Sequence, residues 1–408
     1  MTTSRTLVTG IGVATPHGLG VEDFWAAVRI GKNAIGPVTR FEAPDGQVPL
    51  AGEIHGFEPR DHLPGTLVPQ TDRMTQLALA TADRAFADAR VRPGDLDGYE
   101  AGVVTAAGAG GFEFGENGLG KLWDQGRKYV SAYHSFAVFH AVNSGQIAIR
   151  HDLRGPTGVL VGDEAGGLDA IAHARRQIRK GSRLVATGGF DAFLSPWARA
   201  ARQATGLLST GDDPDRAYRP FDAGARGHVP GEGGALMILE DEESAWSRDA
   251  PTVYGEIAGH ASTTDPEPGS GREPGLRRAI ELALADAACD RAEVDVVFAD
   301  GAGTPELDRA EAEAVHAVFG PRGVPVTVPK TTIGRLCSGA APVDVVTALL
   351  AMREGLIPPT ANVEQPAPEY ELDLVAGRPR TASVRTALVL ARGRGGFNSA
   401  LVLRSLDD

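Results

Sequence analysis

The 408-residue sequence predicts an α/β protein of layered sheets and helices, folded as two similar halves. Three observations carry this reading. Short apolar runs punctuated by glycine, which read as buried strands, alternate with stretches whose apolar residues recur at helical spacing. The alternation occurs twice along the chain, and each half closes on strands. Between the halves, Asp241 to Asp249 is acidic and polar and reads as a boundary, giving an N-terminal half at 1–250 and a C-terminal half at 251–408. The repeat lies in the pattern of elements, not in residue identities.

The elements follow in order. Arg5-Thr-Leu-Val-Thr-Gly-Ile-Gly-Val-Ala-Thr-Pro reads as a short buried strand running into a glycine-rich turn. Met74, Leu77, Ala78, Thr81, Ala82 and Phe86 fall at helical spacing. Ala101 to Ala107 is a buried strand, followed by the glycines of 108–111 and then Phe112-Glu-Phe-Gly-Glu-Asn-Gly-Leu. Val159 begins a strand that turns at Gly162-Asp-Glu-Ala-Gly-Gly into a helix carrying Leu168, Ile171, Ala172 and Ile178. That helix ends in basic residues and Gly181, as the helix dipole and C-terminal capping favour. Strands are expected at Arg183 to Gly189 and Gly233 to Glu240. In the second half, Val294 to Asp300 reads as a strand, Asp308 to Phe319 as a helix, Val326 to Lys330 as a strand and Ala341 to Arg353 as a helix. Thr386 to Ala391 and Ser399 to Arg404 close the chain as strands. Cys289 is expected within a helix.

Composition narrows the function. Basic residues number 40 against 53 acidic, a net charge of −13, which repels phosphate backbones and disfavours nucleic-acid binding. No run of 18 or more apolar residues is present, so no membrane-spanning helix is expected. The first residues lack the basic-then-apolar pattern of a secretory leader. The two cysteines, Cys289 and Cys337, are too far apart for a CxxC zinc or redox motif and make no disulfide framework, which suits a reducing cytoplasm. The ten histidines are scattered without metal-ligand spacing.

Four segments invite a chemical reading. Glycines at 10, 12 and 18 miss the G-x-G-x-x-G spacing, and Pro16 would interrupt the helix start that binds a pyrophosphate, so a structural strand and turn is favoured over a dinucleotide site. Glu164 stands just ahead of a helix, where a carboxylate is favoured by the N-terminal dipole; spacing alone favours capping over a site role. Lys330, one of five lysines, and Asp300 both lie at strand ends, where α/β proteins place their chemistry. The basic run Arg175, Arg176, Arg179, Lys180 and Arg183 reads as a solvated helix end, or less simply as a dock for an acidic partner.

Taken together, Val8-Thr-Gly-Ile-Gly-Val-Ala-Thr-Pro, Asp163-Glu-Ala-Gly-Gly-Leu-Asp-Ala, Tyr218-Arg-Pro-Phe-Asp-Ala, Val229-Pro-Gly-Glu-Gly-Gly-Ala, Asp300-Gly-Ala-Gly-Thr-Pro-Glu-Leu-Asp, Val328-Pro-Lys-Thr-Thr-Ile-Gly-Arg and Arg394-Gly-Gly-Phe-Asn-Ser-Ala resemble the β-ketoacyl synthases. More narrowly, they resemble the chain-length factor of type II polyketide synthases. The resemblance runs from Leu7 to Leu403. It implies the thiolase fold: two pseudo-duplicated βαβαβαββ halves stacked in five α-β-α-β-α layers.

It also implies a site. The family's catalytic subunit uses a Cys at a buried helix start, two His and a Lys. Those positions look like Glu164, Asp300, Arg335 and Lys330, so only the lysine is retained. Without the thiol no acyl thioester forms. Chain-length factors usually carry Gln where this chain has Glu164. An ionised carboxylate cannot donate a hydrogen bond, so a decarboxylating role is expected to be absent unless burial raises the Glu164 pKa.

The resemblance further implies a heterodimer with a Cys-bearing ketosynthase α subunit, a polyketide intermediate in a tunnel at the shared interface, and an acyl carrier protein as the other partner. No cofactor is expected on this chain; phosphopantetheine arrives on the carrier protein. Phe112, Gly115 and Leu119, which share a face if their segment is helical, are the implied chain-length gates, and the small residues imply a deep tunnel. Phe136 and Phe139 are implied at the dimer interface. Two other readings stay open. One is an autonomous decarboxylase or condensing enzyme using Glu164. The other is an acyl-binding homolog outside any synthase.

Overall fold

The computed structural model describes residues 4–42, 49–92, 94, 96–267 and 269–406. Among the described residues one continuous twelve-stranded sheet falls into two five-stranded arms, called here the first and second sheet, with Gly18–Leu19 paired to Thr6–Thr15 and Asp373–Leu374 to Pro325–Thr327. The N-terminal half supplies β1 (Thr6–Thr15), β2 (Ala101–Ala106), β3 (Thr157–Leu160), β4 (Leu184–Asp191) and β5 (Gly233–Asp241). The C-terminal half supplies β6 (Gly255–Thr264), β7 (Val296–Phe298), β8 (Pro325–Thr327), β9 (Thr386–Gly393) and β10 (Phe397–Arg404). The first sheet runs β1-β5-β4-β2-β3 and the second β6-β10-β9-β7-β8. Within each order the first two pairings are antiparallel and the next two parallel. The halves are therefore wound alike, a duplication visible in topology that residue identities hide. A short antiparallel contact between β1 and β6, Leu7 opposite Glu256 and Val8 opposite Gly255, joins the sheets.

Seven helices complete the layers: α1 (Arg73–Ala89), α2 (Phe112–Gln125), α3 (Val142–His151), α4 (Gly166–Arg179), α5 (Leu276–Asp286), α6 (Pro305–Phe319) and α7 (Ala340–Glu354). Strand side chains alternate between faces, and the alternation sorts them into separate cores. Val104, Val185, Met237 and Leu239 of the first sheet, and Val296, Phe298, Val389 and Leu401 of the second, face the centre and pack on α4 and α7. Their neighbours Val103, Ala186, Leu236 and Ile238 face outward onto α1 and α3. Val297, Leu388, Leu390 and Val402 face outward onto α5 and α6. The result is the five-layer α-β-α-β-α stack.

The sequence of α7 explains its central place. Every residue from Ala340 to Ala351 is buried, and a helix apolar on all sides is stable only when surrounded. Gly167 lets α4 cross it: an added Cβ would lie 2.4 Å from Pro342 Cδ and 2.6 Å from the Ser338 carbonyl oxygen.

Several expectations need correction. The glycines at 10 and 12 belong to no turn; β1 continues to Thr15, and α1 lies directly on it. A Cβ at Gly10 would stand 2.5 Å from the Ala85 carbonyl oxygen, and one at Gly12 2.3 Å from that of Thr81. The helix expected from Asp308 begins at Pro305, because proline suits a first helical position whose N–H would have no acceptor. Cys289 lies in the turn after α5, outside any helix. Arg175 is not part of a solvated helix end. It is buried, its Nη1 sits 2.5 Å from Asp286 Oδ2, and its Nη2 donates to the Ala258 carbonyl, so it ties the central layer to the C-terminal half.

Candidate functional site

The C-terminal ends of the parallel strands converge on one cavity of about 910 Å³, where α/β sheets commonly place ligands. Gly108 and Ala109 reach it after β2, Asp163 and Glu164 after β3, Asp300 after β7, and Arg392 to Gly396 from the end of β9 and the turn beyond it; Arg335 and Cys337 arrive from the segment ahead of α7. The turn after β3 places Glu164. Asp163 adopts a left-handed backbone, φ 53°, which aspartate tolerates when its side chain finds local partners. Here its Oδ2 accepts from the Arg394 backbone N–H at 3.0 Å and its Oδ1 from the Cys337 thiol at 3.2 Å.

Glu164 caps no helix, contrary to the expectation from spacing. The residue at the start of α4 is Ala165, without a side-chain cap. Instead Glu164 Oε1 accepts from Arg335 Nε at 3.2 Å. The same guanidinium grips Asp300 with both terminal nitrogens, Nη1 to Oδ2 at 3.0 Å and Nη2 to Oδ1 at 3.1 Å. Nη1 also faces the Asp300 and Gly301 carbonyls at 3.3 and 3.4 Å. Glu164, Asp300 and Arg335 are 8, 2 and 4% exposed. The three positions singled out in sequence therefore meet, and they meet as a buried ion cluster.

The electrostatics are asymmetric. Burial opposes ionisation of Asp300, yet Arg335 and Lys330 outweigh it and hold its carboxyl below the usual range. Burial pushes Glu164 up to about 7 against the pull of Arg335. Burial also opposes ionisation of Asp163, but a hydrogen bond from Glu164 and the Arg394 N–H bring it down to about 2. Arg335 stays charged, its carboxylates outweighing burial. Burial, then Arg335, drives the imidazole of His228 well below its usual pKa, so His228 on the cavity wall is neutral.

Lys330 is retained but does not line the cavity. It is buried in an ion pair with Asp344 of α7, whose carboxyl burial raises to about 6. The thiol nearest the cluster is that of Cys337. Burial and then Asp191 push its pKa well up, which keeps it a thiol, and the thiolate is the nucleophile.

The implied gates divide. Phe112 lines the cavity, its ring edge-on to Phe193 at 4.5 Å. Gly115 and Leu119 follow on the same face of α2 but stand outside the cavity of the single chain. Gly115 and Gly118 keep no open space there, whereas a Cβ at Gly120 would meet nothing. A Cβ at Gly118 would sit 2.2 Å from the His134 ring, and one at Gly115 3.3 Å from Val138 Cγ1, so they let α2 lie close against 134–138. Phe136 and Phe139 are 41 and 64% exposed. Sequence reasoning missed Phe193 and Arg202 on the wall, the guanidinium carbon of Arg202 lying 4.8 Å over the Phe193 ring. Phe193 stands two residues past the Asp191 end of β4, the strand-end signal that would have found it.

Residues 3–245 match the β-ketoacyl synthase N-terminal domain and residues 254–364 its C-terminal domain. The chain belongs to the β-ketoacyl synthase family. It is 58% identical over 398 residues to the actinorhodin polyketide putative β-ketoacyl synthase 2 of Streptomyces coelicolor, covering 98% of both chains. It is 55% identical to the tetracenomycin polyketide synthase ketoacyl synthase beta subunit of Streptomyces glaucescens, again over 98% of both. Among solved structures, the ishigamide ketosynthase/chain length factor superposes with a TM-score of 0.90 at 28% identity, over 99% of this chain and 100% of that one. Within this family the chain keeps the layered scaffold and carries an ion cluster at its strand-end centre. Among the described residues, no helix is long and apolar enough to cross a membrane.

Proposed function

We propose that this chain is the chain-length factor of a type II polyketide synthase. It pairs with a Cys-bearing ketosynthase and leaves carbon–carbon bond formation to that partner. A cytoplasmic carrier protein delivers malonyl units on phosphopantetheine. The growing poly-β-ketone extends into a tunnel bounded by both subunits, and side chains of this one set where it ends. The observation that carries the reading is Glu164 bonded to Arg335, in place of a nucleophile. Similarity to a relative named a beta subunit and to a ketosynthase/chain length factor structure supports the pairing. The exposed Phe136 and Phe139 are suited to the interface.

Reconstitution tests it. Co-expression with a type II ketosynthase is expected to give a stable one-to-one complex that makes polyketide, with the thioester on the partner's cysteine alone. Gly115→Phe and Leu119→Phe are each expected to shorten the product. An isolated chain that condenses malonyl units, or unchanged products from both variants, would refute the reading.

A second reading, decarboxylation by Glu164 as an acid, draws on its raised pKa of about 7. The cluster counts against it: one Glu164 oxygen is held by Arg335.

A further inference from the structure

The helix that carries Phe112 begins without a cap of its own. Gly111 offers no side chain, and the N–H groups of the first turn have no acceptors within the helix. One of them is taken by a distant residue: Phe114 N–H donates to Asp72 Oδ2 at 2.8 Å. The other oxygen of that carboxylate, Oδ1, accepts from Met74 N–H, also at 2.8 Å, and so caps α1. A single buried aspartate thereby starts two helices. The N–H groups of both helix starts favour its charge, although burial outweighs them and raises its carboxyl to about 7.

A second tie holds the residue between Phe112 and Phe114. Arg40 Nη2 bonds both oxygens of Glu113, at 2.8 and 2.6 Å, while its Nη1 lies 3.3 Å from Glu232 Oε2. Glu232 is fully buried and is itself gripped by Arg73 through Nε at 2.9 Å and Nη2 at 2.8 Å. The first turn of α2 is thus fixed to α1 and to the start of β5 on one side. Phe193 meets the Phe112 ring on the other. Neither Asp72 nor Arg40 lines the cavity.

We infer that Asp72 and Arg40 are positioning residues for chain-length control: by fixing the first turn of α2 they fix Phe112 and the face that continues through Gly115 and Leu119. The inference rests on the chain-length reading above. Loosening either tie frees the turn to shift, and even a small shift of an aromatic wall moves the point where a chain must stop.

The experiment uses the reconstituted complex of this chain, a Cys-bearing ketosynthase and malonyl carrier protein, with products resolved by mass. Arg40→Met leaves both Asp72 caps in place and is the primary variant; Asp72→Asn is the second, and Arg40→Lys the conservative rescue. The control is Arg150→Met, which breaks an ion pair between α3 and Asp83 of α1 without touching α2. Arg40→Met and Asp72→Asn are expected to add products differing by one two-carbon unit. Arg40→Lys restores the parent length, and Arg150→Met leaves it unchanged. Unchanged lengths in both primary variants, with Gly115→Phe still shortening the product, would overturn this inference alone. Unchanged lengths in Gly115→Phe and Leu119→Phe as well would overturn the chain-length reading and this inference with it.

Discussion

Replacing Arg335 by methionine is the sharpest test of the ion cluster. The side chain contributes one bond to Glu164 and two to the Asp300 carboxylate, all buried. Methionine fills comparable space but leaves Asp300 without its cation. Removing one partner of a buried pair costs about 3–5 kcal/mol, because the remaining charge is stranded in a low-dielectric interior. An unfolding entropy of roughly 2.1 cal/mol/K per residue gives about 0.9 kcal/mol/K for a chain of this length, so Arg335→Met should lower Tm by about 3–6 °C. A triple variant, Glu164→Gln with Asp300→Asn and Arg335→Met, removes every charge of the cluster and should recover most of that loss. Scanning calorimetry of the purified parent, single and triple variants makes the comparison. An Arg335→Met protein as stable as its parent, or a triple variant no better than the single, would refute the assignment of the cluster as a mutually dependent set.

Two further outcomes follow from the same charges. Asp344 has its carboxyl raised to about 6 in the folded state by burial, so ionising it opposes folding, and Lys330 offsets that cost. Lys330→Met should therefore be tolerated best in acid and lose stability as pH rises through and beyond that value, read as Tm against pH; a pH-independent loss would contradict the pairing. For Glu164, release of CO₂ from malonyl carrier protein by the isolated chain should stay at background on both sides of its pKa of about 7. Rapid release that falls as pH rises through that value, and vanishes in Glu164→Ala, would show an acid catalyst instead.

Much of this was legible in the sequence, for reasons that differ by residue. The strands of both sheets were readable because parallel strands buried on two faces must be continuously apolar, and Val103 to Ala106 or Val296 to Phe298 have no other use for such runs. Glu164, Asp300 and Arg335 were readable as a site only through the resemblance to the β-ketoacyl synthases, since spacing alone favoured capping for Glu164 and gave Arg335 no role. What they do together was not, because the bond between Glu164 and Arg335 closes over 171 residues. Arg175 misled for the same reason: a basic residue late in a helix looks solvated until Asp286, 111 residues away, is placed beside it. Gly10 and Gly12 misled differently. A turn and a strand pressed against a helix both demand glycine, and only the third dimension distinguishes them. The double duty of Asp72 was hidden too, since a local pattern shows the helix that a cap precedes but not a second one that borrows its other oxygen.

The ion cluster has a consequence for the history open to such a chain. Glu164 comes from one half of the fold, Asp300 and Arg335 from the other, and each is held by its neighbours. Restoring a cysteine at 164 alone removes one acceptor of Arg335. Restoring a histidine at 300 alone strips the same arginine of its doubly bonded counter-ion. Restoring a histidine at 335 alone strands two buried carboxyls. Each single exchange therefore leads through a less stable protein. The three side chains thus lock one another in place, and an exchange at any one of these positions is resisted by the other two.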